Sequence, residues 1–323
     1  MPLCPFCRVS CGPVVSRGEA DRPQLATRFG SSGAVVLSRN ILEVGPSQQR
    51  SMAEARKVTV PGEGRELEAW LAVPKEPAGR RPAVIVIHEI FGPDAHIQDV
   101  TGRFAREGYV ALAPNLFTGE LQSVLSPENV ALGMKALAEA PAGLRRDPSK
   151  FAEFTASQPP ARRPVLGALG KVSSPPMQAG FAKDLLAVAR HLRAHPRVDP
   201  RRTGSVGFCF GGAMSARLAT VDPDLRAAVI FYGQNPPLES VPQVRAAVLG
   251  LYGEEDAGIT GQVPQFAEAM KKAGKSFRYH VYPGARHAFF NDTRPMYQPE
   301  AARDAWQRVL EFYRENLGNG AHP

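Results

Sequence analysis

Apolar and polar positions alternate along Arg56–Val60 and again along Glu66–Val73, on either side of Pro61-Gly62-Glu63-Gly64. A period of two broken by a Pro/Gly turn predicts an antiparallel β-hairpin. At Ala83–Ile87 the alternation gives way to a continuous, mostly β-branched apolar run, as in a strand buried on both faces. The period then lengthens. Ile97, Val100 and Phe104 share one face of a helix over Asp94–Glu107, with Asp94 as its cap and Gly108 as its stop. Tyr109–Ala113 reads as the next strand, halted by Pro114. Phe181, Leu185, Val188 and Leu192 mark the buried face of a helix over Met177–Ala194. A short buried strand, Thr203–Phe208, leads into a helix starting near Gly211. Strands over Ala227–Tyr232 and Ala246–Tyr252, a helix over Val263–Ala273, a strand over Phe277–Tyr282 and an amphipathic helix over Pro299–Asn316 complete the pattern. Strands alternating with helices imply an α/β architecture: a mostly parallel twisted sheet with helices on both faces and an antiparallel N-terminal edge hairpin. No segment repeats.

Two stretches do not fit the alternation. Between Phe117 and Pro176 a helix suits Pro127–Glu139, after which Pro141, Pro148, Pro159-Pro160, Pro164 and Pro175-Pro176 interrupt any period. A long irregular segment inside a domain is a functional insertion or a mobile one. The Pro-rich insertion at about residues 118–176 is therefore read either as a lid over the active site or as a solvent-exposed excursion. Residues 1–52 are rich in Ser, Gly, Pro and Arg and show little periodicity. Their acid-poor composition faintly resembles a transit peptide, without its amphipathic helix. Met52 is an alternative start, since the strand pattern opens just after it. Either way residues 1–52 are expected to be a disordered extension, and residues 53–318 the folded domain.

The composition places the chain among ordinary soluble proteins: 323 residues, 43% hydrophobic and 22% charged. No apolar run reaches the roughly 18 residues of a membrane span. The net charge of +8 is spread along the chain. The pairs Arg80-Arg81, Arg145-Arg146, Arg162-Arg163 and Arg201-Arg202 sit in polar, Pro-flanked stretches and read as solvated surface. No nucleic-acid-binding motif accompanies them, while an acidic substrate or partner stays open. Three of the four cysteines, Cys4, Cys7 and Cys11, lie in the extension. A zinc site needs four ligands, and no second Cys pair or nearby His supplies them, so no metal and no cofactor is expected. One remaining cysteine argues against a disulfide scaffold. A cytoplasmic monomer or homodimer is the expectation.

That remaining cysteine stands in Gly207-Phe208-Cys209-Phe210-Gly211, the cysteine form of the Gly-x-Ser-x-Gly nucleophile elbow. Its turn is so sharp that only glycine fits two positions to either side of Cys209. The sulfur then sits at a helix N-terminus, whose partial positive charge favours an anion. A thiolate nucleophile needs a base and a group that orients the base. Asp256, just past one strand, and His287, past the next, follow Cys209 in the order of an α/β-hydrolase triad. Glu254 and Glu255 are alternatives for the acid. The His88-Glu89-Ile90-Phe91-Gly92 turn after the central strand is the second anchor. Backbone N–H groups of Ile90 and Phe210 are the expected oxyanion pair. Glu89 is then a carboxylate buried near the thiol, either a partner of the cysteine or a structural residue.

His-Glu-Ile-Phe-Gly (88–92), Ala-Pro-Asn-Leu-Phe (113–117), Gly-Phe-Cys-Phe-Gly-Gly (207–212), Tyr-Gly-Glu-Glu-Asp (252–256) and His-Ala-Phe (287–289) occur in that order. Together they resemble the dienelactone hydrolase family, carboxymethylenebutenolidase-like enzymes of the α/β-hydrolase fold, over about residues 55–317. The resemblance implies a Cys209–His287–Asp256 triad and a Glu89 that holds or activates the cysteine. It also implies a small lactone or ester substrate bearing a carboxylate, gripped by arginines. Arg294 and Arg286 are the candidates near His287. A general carboxylesterase or thioesterase with the same triad is the alternative, and a non-catalytic binding or redox-sensing module a third.

Overall fold

β3 (Arg81–Ile87) is buried along its whole length, as an unbroken apolar run requires. It pairs in parallel with β4 (Val110–Pro114) on one side and β5 (Val198–Phe208) on the other. Beyond β5 the sheet continues in parallel through β6 (Ala227–Phe231), β7 (Ala247–Gly253) and β8 (Phe277–Tyr282). Beyond β4 it turns antiparallel, through β2 (Glu66–Ala72) to β1 (Arg56–Pro61). The order of this 8-stranded sheet is β1-β2-β4-β3-β5-β6-β7-β8, the mostly parallel sheet with an antiparallel edge hairpin that the hydrophobic pattern predicted. This computed structural model describes residues 55–75, 79–141, 144 and 147–318. The expected extension at residues 1–52, with Cys4, Cys7 and Cys11, lies outside the described residues.

Helices cover both faces. α1 (Ala95–Arg106) and α10 (Pro299–Leu317) pack on one, where Phe104 meets Trp306 and Tyr313. α6 (Pro175–Ala194), α7 (Phe210–Val221) and α9 (Val263–Lys272) cover the other. The hairpin turn is fastened to α6, where the buried Asp184 carboxylate accepts from the Glu63 N–H and from the Arg65 guanidinium.

The Pro-rich insertion contains the helix expected over Pro127–Glu139 and corrects the expectation of irregular chain after it. It forms α2 (Glu120–Val124), α3 (Pro127–Ala138), α4 (Pro148–Ser157) and α5 (Arg163–Val172). Prolines that read as breakers sit in the first turns of α4, α5 and α6. There the ring's fixed φ suits the helix and its missing N–H has no partner to lose. Ser126 and Asp147 cap α3 and α4 through their side chains. The segment is no solvent excursion either: Val130, Val165, Leu169 and Val172 join the core cluster of Phe117 and Phe181. A further short helix, α8 (Ala257–Thr260), follows β7 and was not legible in the pattern.

Candidate active site

β3, β5, β6, β7 and β8 run in one direction, so their carboxyl ends share one edge of the sheet. In open α/β sheets that edge is where sites form. Glu89, Cys209, Tyr232, Asp256 and His287 each lie just beyond one of these ends.

The reversal between β5 and α7 is made by a single residue, Cys209, with φ 54° and ψ −113°. L-residues rarely occupy that region, and the surroundings must hold it there. They do so by close backbone approach. A Cβ on Gly207 would lie 1.8 Å from the Gly211 carbonyl oxygen, and one on Gly211 only 2.1 Å from that of Ile87. The same approach presses the elbow against the end of β3, bringing the His88–Gly92 turn beside Cys209. The Cys209 N–H donates to the Phe231 carbonyl at 3.0 Å, linking the elbow to β6.

His287 Nδ1 stands 2.6 Å from Asp256 Oδ2. The other two acids of that loop are engaged elsewhere: Glu254 accepts from the Gly284 N–H at 2.9 Å, and Glu255 lies 3.9 Å from Arg286. Burial of the His287 ring opposes its protonation, but the negative charge on Cys209, a hydrogen bond to each of Asp256 and Cys209, and the Asp256 charge outweigh it. The pKa is pushed up to about 11. A histidine ring set between a cysteine and a carboxylate is the arrangement that activates a cysteine.

Glu89 is 3% exposed. Asn291 Nδ2 donates to its Oε2 at 2.6 Å and the Tyr232 hydroxyl to its Oε1 at 3.4 Å. Burial raises the carboxyl above its usual range, against the opposing pull of His96 and Asn291. Its neighbour His88 is a fastener. The Leu116 N–H donates to His88 Nε2 at 3.1 Å, so Nδ1 carries the proton and donates to the Glu89 carbonyl at 2.6 Å. Burial lowers the His88 pKa to about 4, which keeps the ring neutral. His88 thus locks the turn after β3 to the Ala-Pro-Asn-Leu-Phe segment after β4.

Four of the candidates, Cys209, Asp256, His287 and Glu89, come together at this edge, with the backbone of Ile90 and Phe210 beside them. The two arginines separate. Arg286 is 67% exposed in its side chain and leans toward Glu255. Arg294 lies against the site's own turn, its guanidinium 3.7 Å from the Phe91 ring centroid and 3.5 Å from the Asp94 carboxylate. Sequence reasoning passed over Tyr232, Asn291 and His96. Tyr232 is fully buried with φ 39°, and its ring lies 5.1 Å from that of His287. His96, buried on α1, meets Asp292 at 3.1 Å. Their signals are slight: a tyrosine closing an apolar strand, and an Asn-Asp pair soon after the histidine.

Among the described residues no group of three or more His, Cys, Asp and Glu is placed to hold a metal ion, and no helix is long and apolar enough to cross a membrane. The sheet order, the elbow and the strand-end residues define an α/β hydrolase. The family model of the "Dienelactone hydrolase family" matches residues 67–317, and the chain belongs to that family, whose members are hydrolases acting on ester bonds. It is 35% identical over 260 residues to a Saccharolobus solfataricus protein named "Putative carboxymethylenebutenolidase", a match spanning 80% of this chain and 98% of that one. A Methylorubrum extorquens protein of the same name is 30% identical over 307 residues, 91% of this chain and 92% of its own. The crystal structure of a "Putative Dienelactone Hydrolase" from Klebsiella pneumoniae is similar at 31% identity and a TM-score of 0.60, covering 81% of this chain and 98% of that one.

Proposed function

We propose that this hydrolase opens small lactones or esters through a thioester acyl-enzyme on Cys209. The observation that carries the reading is the His287–Asp256 contact of 2.6 Å beside a cysteine held at φ 54° on the first turn of α7. His287 takes the thiol proton, and the sulfur attacks the carbonyl carbon, forming the C–S bond. The developing oxyanion is received by the backbone N–H groups of Ile90 and Phe210. The C–O bond breaks, and the leaving oxygen takes its proton from His287. His287, held in one tautomer by Asp256, then removes a proton from water. The resulting hydroxide attacks the thioester, the C–S bond breaks to release the acid, and the sulfur takes the proton back from His287, restoring the thiol. Glu89 partners the cysteine in the resting enzyme. Arg294, rather than the outward-leaning Arg286, is the arginine for a substrate carboxylate. The helical insertion between residues 118 and 176 serves as a cap on this side of the domain, and residues 53–318 form the catalytic unit.

A second reading, a broader carboxylesterase or thioesterase, draws on one observation. Leu121, Val124 and Met177 are partly exposed apolar side chains in the same cluster as Ile90, Phe91 and Phe210, a surface able to take an acyl chain. Hydrolysis of a dienelactone, an aryl acetate, a medium-chain ester and a thioester by wild type, Cys209→Ala and Cys209→Ser separates the readings. Fastest opening of the dienelactone, abolished in Cys209→Ala, supports the first. Preference for the medium-chain ester or thioester supports the second. Equal rates for wild type and Cys209→Ala on every substrate overturn both.

A further inference from the structure

Glu89 is a buried carboxyl group that accepts from two neutral donors, Asn291 and Tyr232. The Asn291 amide has one available orientation. Its Oδ1 accepts from the Thr293 N–H at 3.0 Å and from the Thr293 hydroxyl at 2.7 Å, which leaves Nδ2 to face Glu89. A flipped amide would set its oxygen against the Glu89 carboxylate at one end and its NH2 against the Thr293 N–H at the other, at a cost of a lost hydrogen bond apiece. Asn291 is itself wholly buried. It belongs to the loop that begins with His287, and that loop is pinned to α1 at the next residue, where Asp292 meets His96 and Arg103. The groups surrounding the Glu89 carboxyl are Asn291 and His287 from this loop, Tyr232 from the end of β6, and His96 and Asp94 from the start of α1. Tyr232 in turn feels the charge of both Glu89 and Cys209.

We propose that Asn291 is a positioning residue for Glu89: with its amide locked by Thr293, it fixes the rotation of the Glu89 carboxyl beside the thiol and ties that rotation to the loop that carries His287. The proposal rests on the reading of Cys209 as nucleophile and Glu89 as its partner. Its chemical consequence has a sign. An N–H aimed at a carboxylate stabilises the ionised form. Without it, burial is less opposed and Glu89 keeps its proton to higher pH. If the ionised carboxyl accepts the thiol's hydrogen bond in the resting enzyme, the acid limb of kcat/KM must then move upward in pH.

The test is the pH profile of aryl acetate hydrolysis for the full chain carrying Asn291→Leu, Thr293→Val or Thr293→Ser, each also placed on Glu89→Gln. The expected result is a kcat/KM for Asn291→Leu reduced roughly ten- to hundredfold, carried by kcat, with the acid limb shifted to higher pH. Thr293→Val moves the limb the same way by less, and Thr293→Ser restores it. On Glu89→Gln, Asn291→Leu adds no further loss, since the two act through one group. A wild-type profile in both Asn291→Leu and Thr293→Val overturns the proposal, as does an undiminished Asn291→Leu effect on Glu89→Gln. Should Asn291→Leu not fold, the contrast of Thr293→Val with Thr293→Ser decides: a limb shifted in the first and restored in the second supports the proposal, and two unshifted profiles overturn it. Cys209→Ala separates the levels. If it retains activity, the nucleophile reading falls and this proposal with it. If it is inactive and the profiles do not move, only the proposal falls.

Discussion

Glu89 sits where water does not reach, and its folded-state affinity for a proton is higher than in an unfolded chain. A carboxyl whose pKa rises on folding contributes stability below its unfolded pKa and loses it as pH climbs through the folded one. At neutral pH the group therefore works against the fold, as function-bearing residues often do. Glu89→Gln is expected to raise the melting temperature at neutral pH. The gain should shrink as pH falls through the raised pKa toward the ordinary carboxylate range, while esterase activity drops. Thermal melts at several pH values check this, and a uniform or absent gain counts against it. The His287 pKa is raised as well, but there the proton makes the charged form. Its pKa, held up to about 11 chiefly by Cys209 and Asp256 against burial, marks an imidazolium that persists well above neutrality. Asp256→Asn removes one of the supports, so the alkaline limb of activity should move to lower pH. The rate should also fall on the order of a hundred- to ten-thousandfold through the wrong tautomer. An unshifted limb and a near-normal rate would remove Asp256 from the triad.

Among the elements, the β5–α7 elbow has the least room. At Gly211 the nearest atoms to an added Cβ belong to the backbone of Ile87 and His88, which cannot rotate away. Gly211→Ala is expected to cost about 3 kcal/mol or more by overpacking. It should also push the turn after β3 away from Cys209, so that chemical denaturation and activity suffer together. A stable, active Gly211→Ala protein would mean that the elbow is looser than its geometry. The helices of the insertion are held by lesser devices. Asp147 accepts from the Ser149 and Lys150 N–H groups at 3.1 Å, and Asp147→Ala should loosen α4 by about 1 kcal/mol. Faster amide exchange confined to α4 and its neighbour α5, with kcat unchanged for a small acetate, is the expected readout.

At the scale of the molecule, the two apolar clusters on either side of the sheet draw their members from Val60 to Leu317. Both clusters pack on one sheet, so a single cooperative melt is the expectation for the described residues. A protein beginning at Met52 should keep the cooperative melt and the esterase activity of the full chain. A lowered melting temperature or lost activity on removing residues 1–51 would show that the core borrows from them. The parallel order of β3, β5, β6, β7 and β8 also explains how residues as far apart as Glu89 and Asn291 meet. Each strand returns to the same edge, and each loop there adds one group.

The hydrophobic pattern by itself determined most of the sheet and the α1, α3, α6, α7, α9 and α10 helices, because periods of two and 3.6 are written directly in residue order. It also determined the elbow, since Gly207 and Gly211 answer a local steric need that no distant contact alters. The α4 and α5 helices escaped it because proline at a helix start and proline as a breaker look alike until the chain is seen to turn. Which of Glu254, Glu255 and Asp256 faces His287, and where Arg286 and Arg294 lie, was left to the tertiary structure. Neighbours on one loop differ only in which way their side chains face, and packing sets that. Asn291 and Tyr232 were beyond the sequence for the same reason: a neutral donor has no motif, and what makes each matter is a buried carboxyl group delivered from another strand.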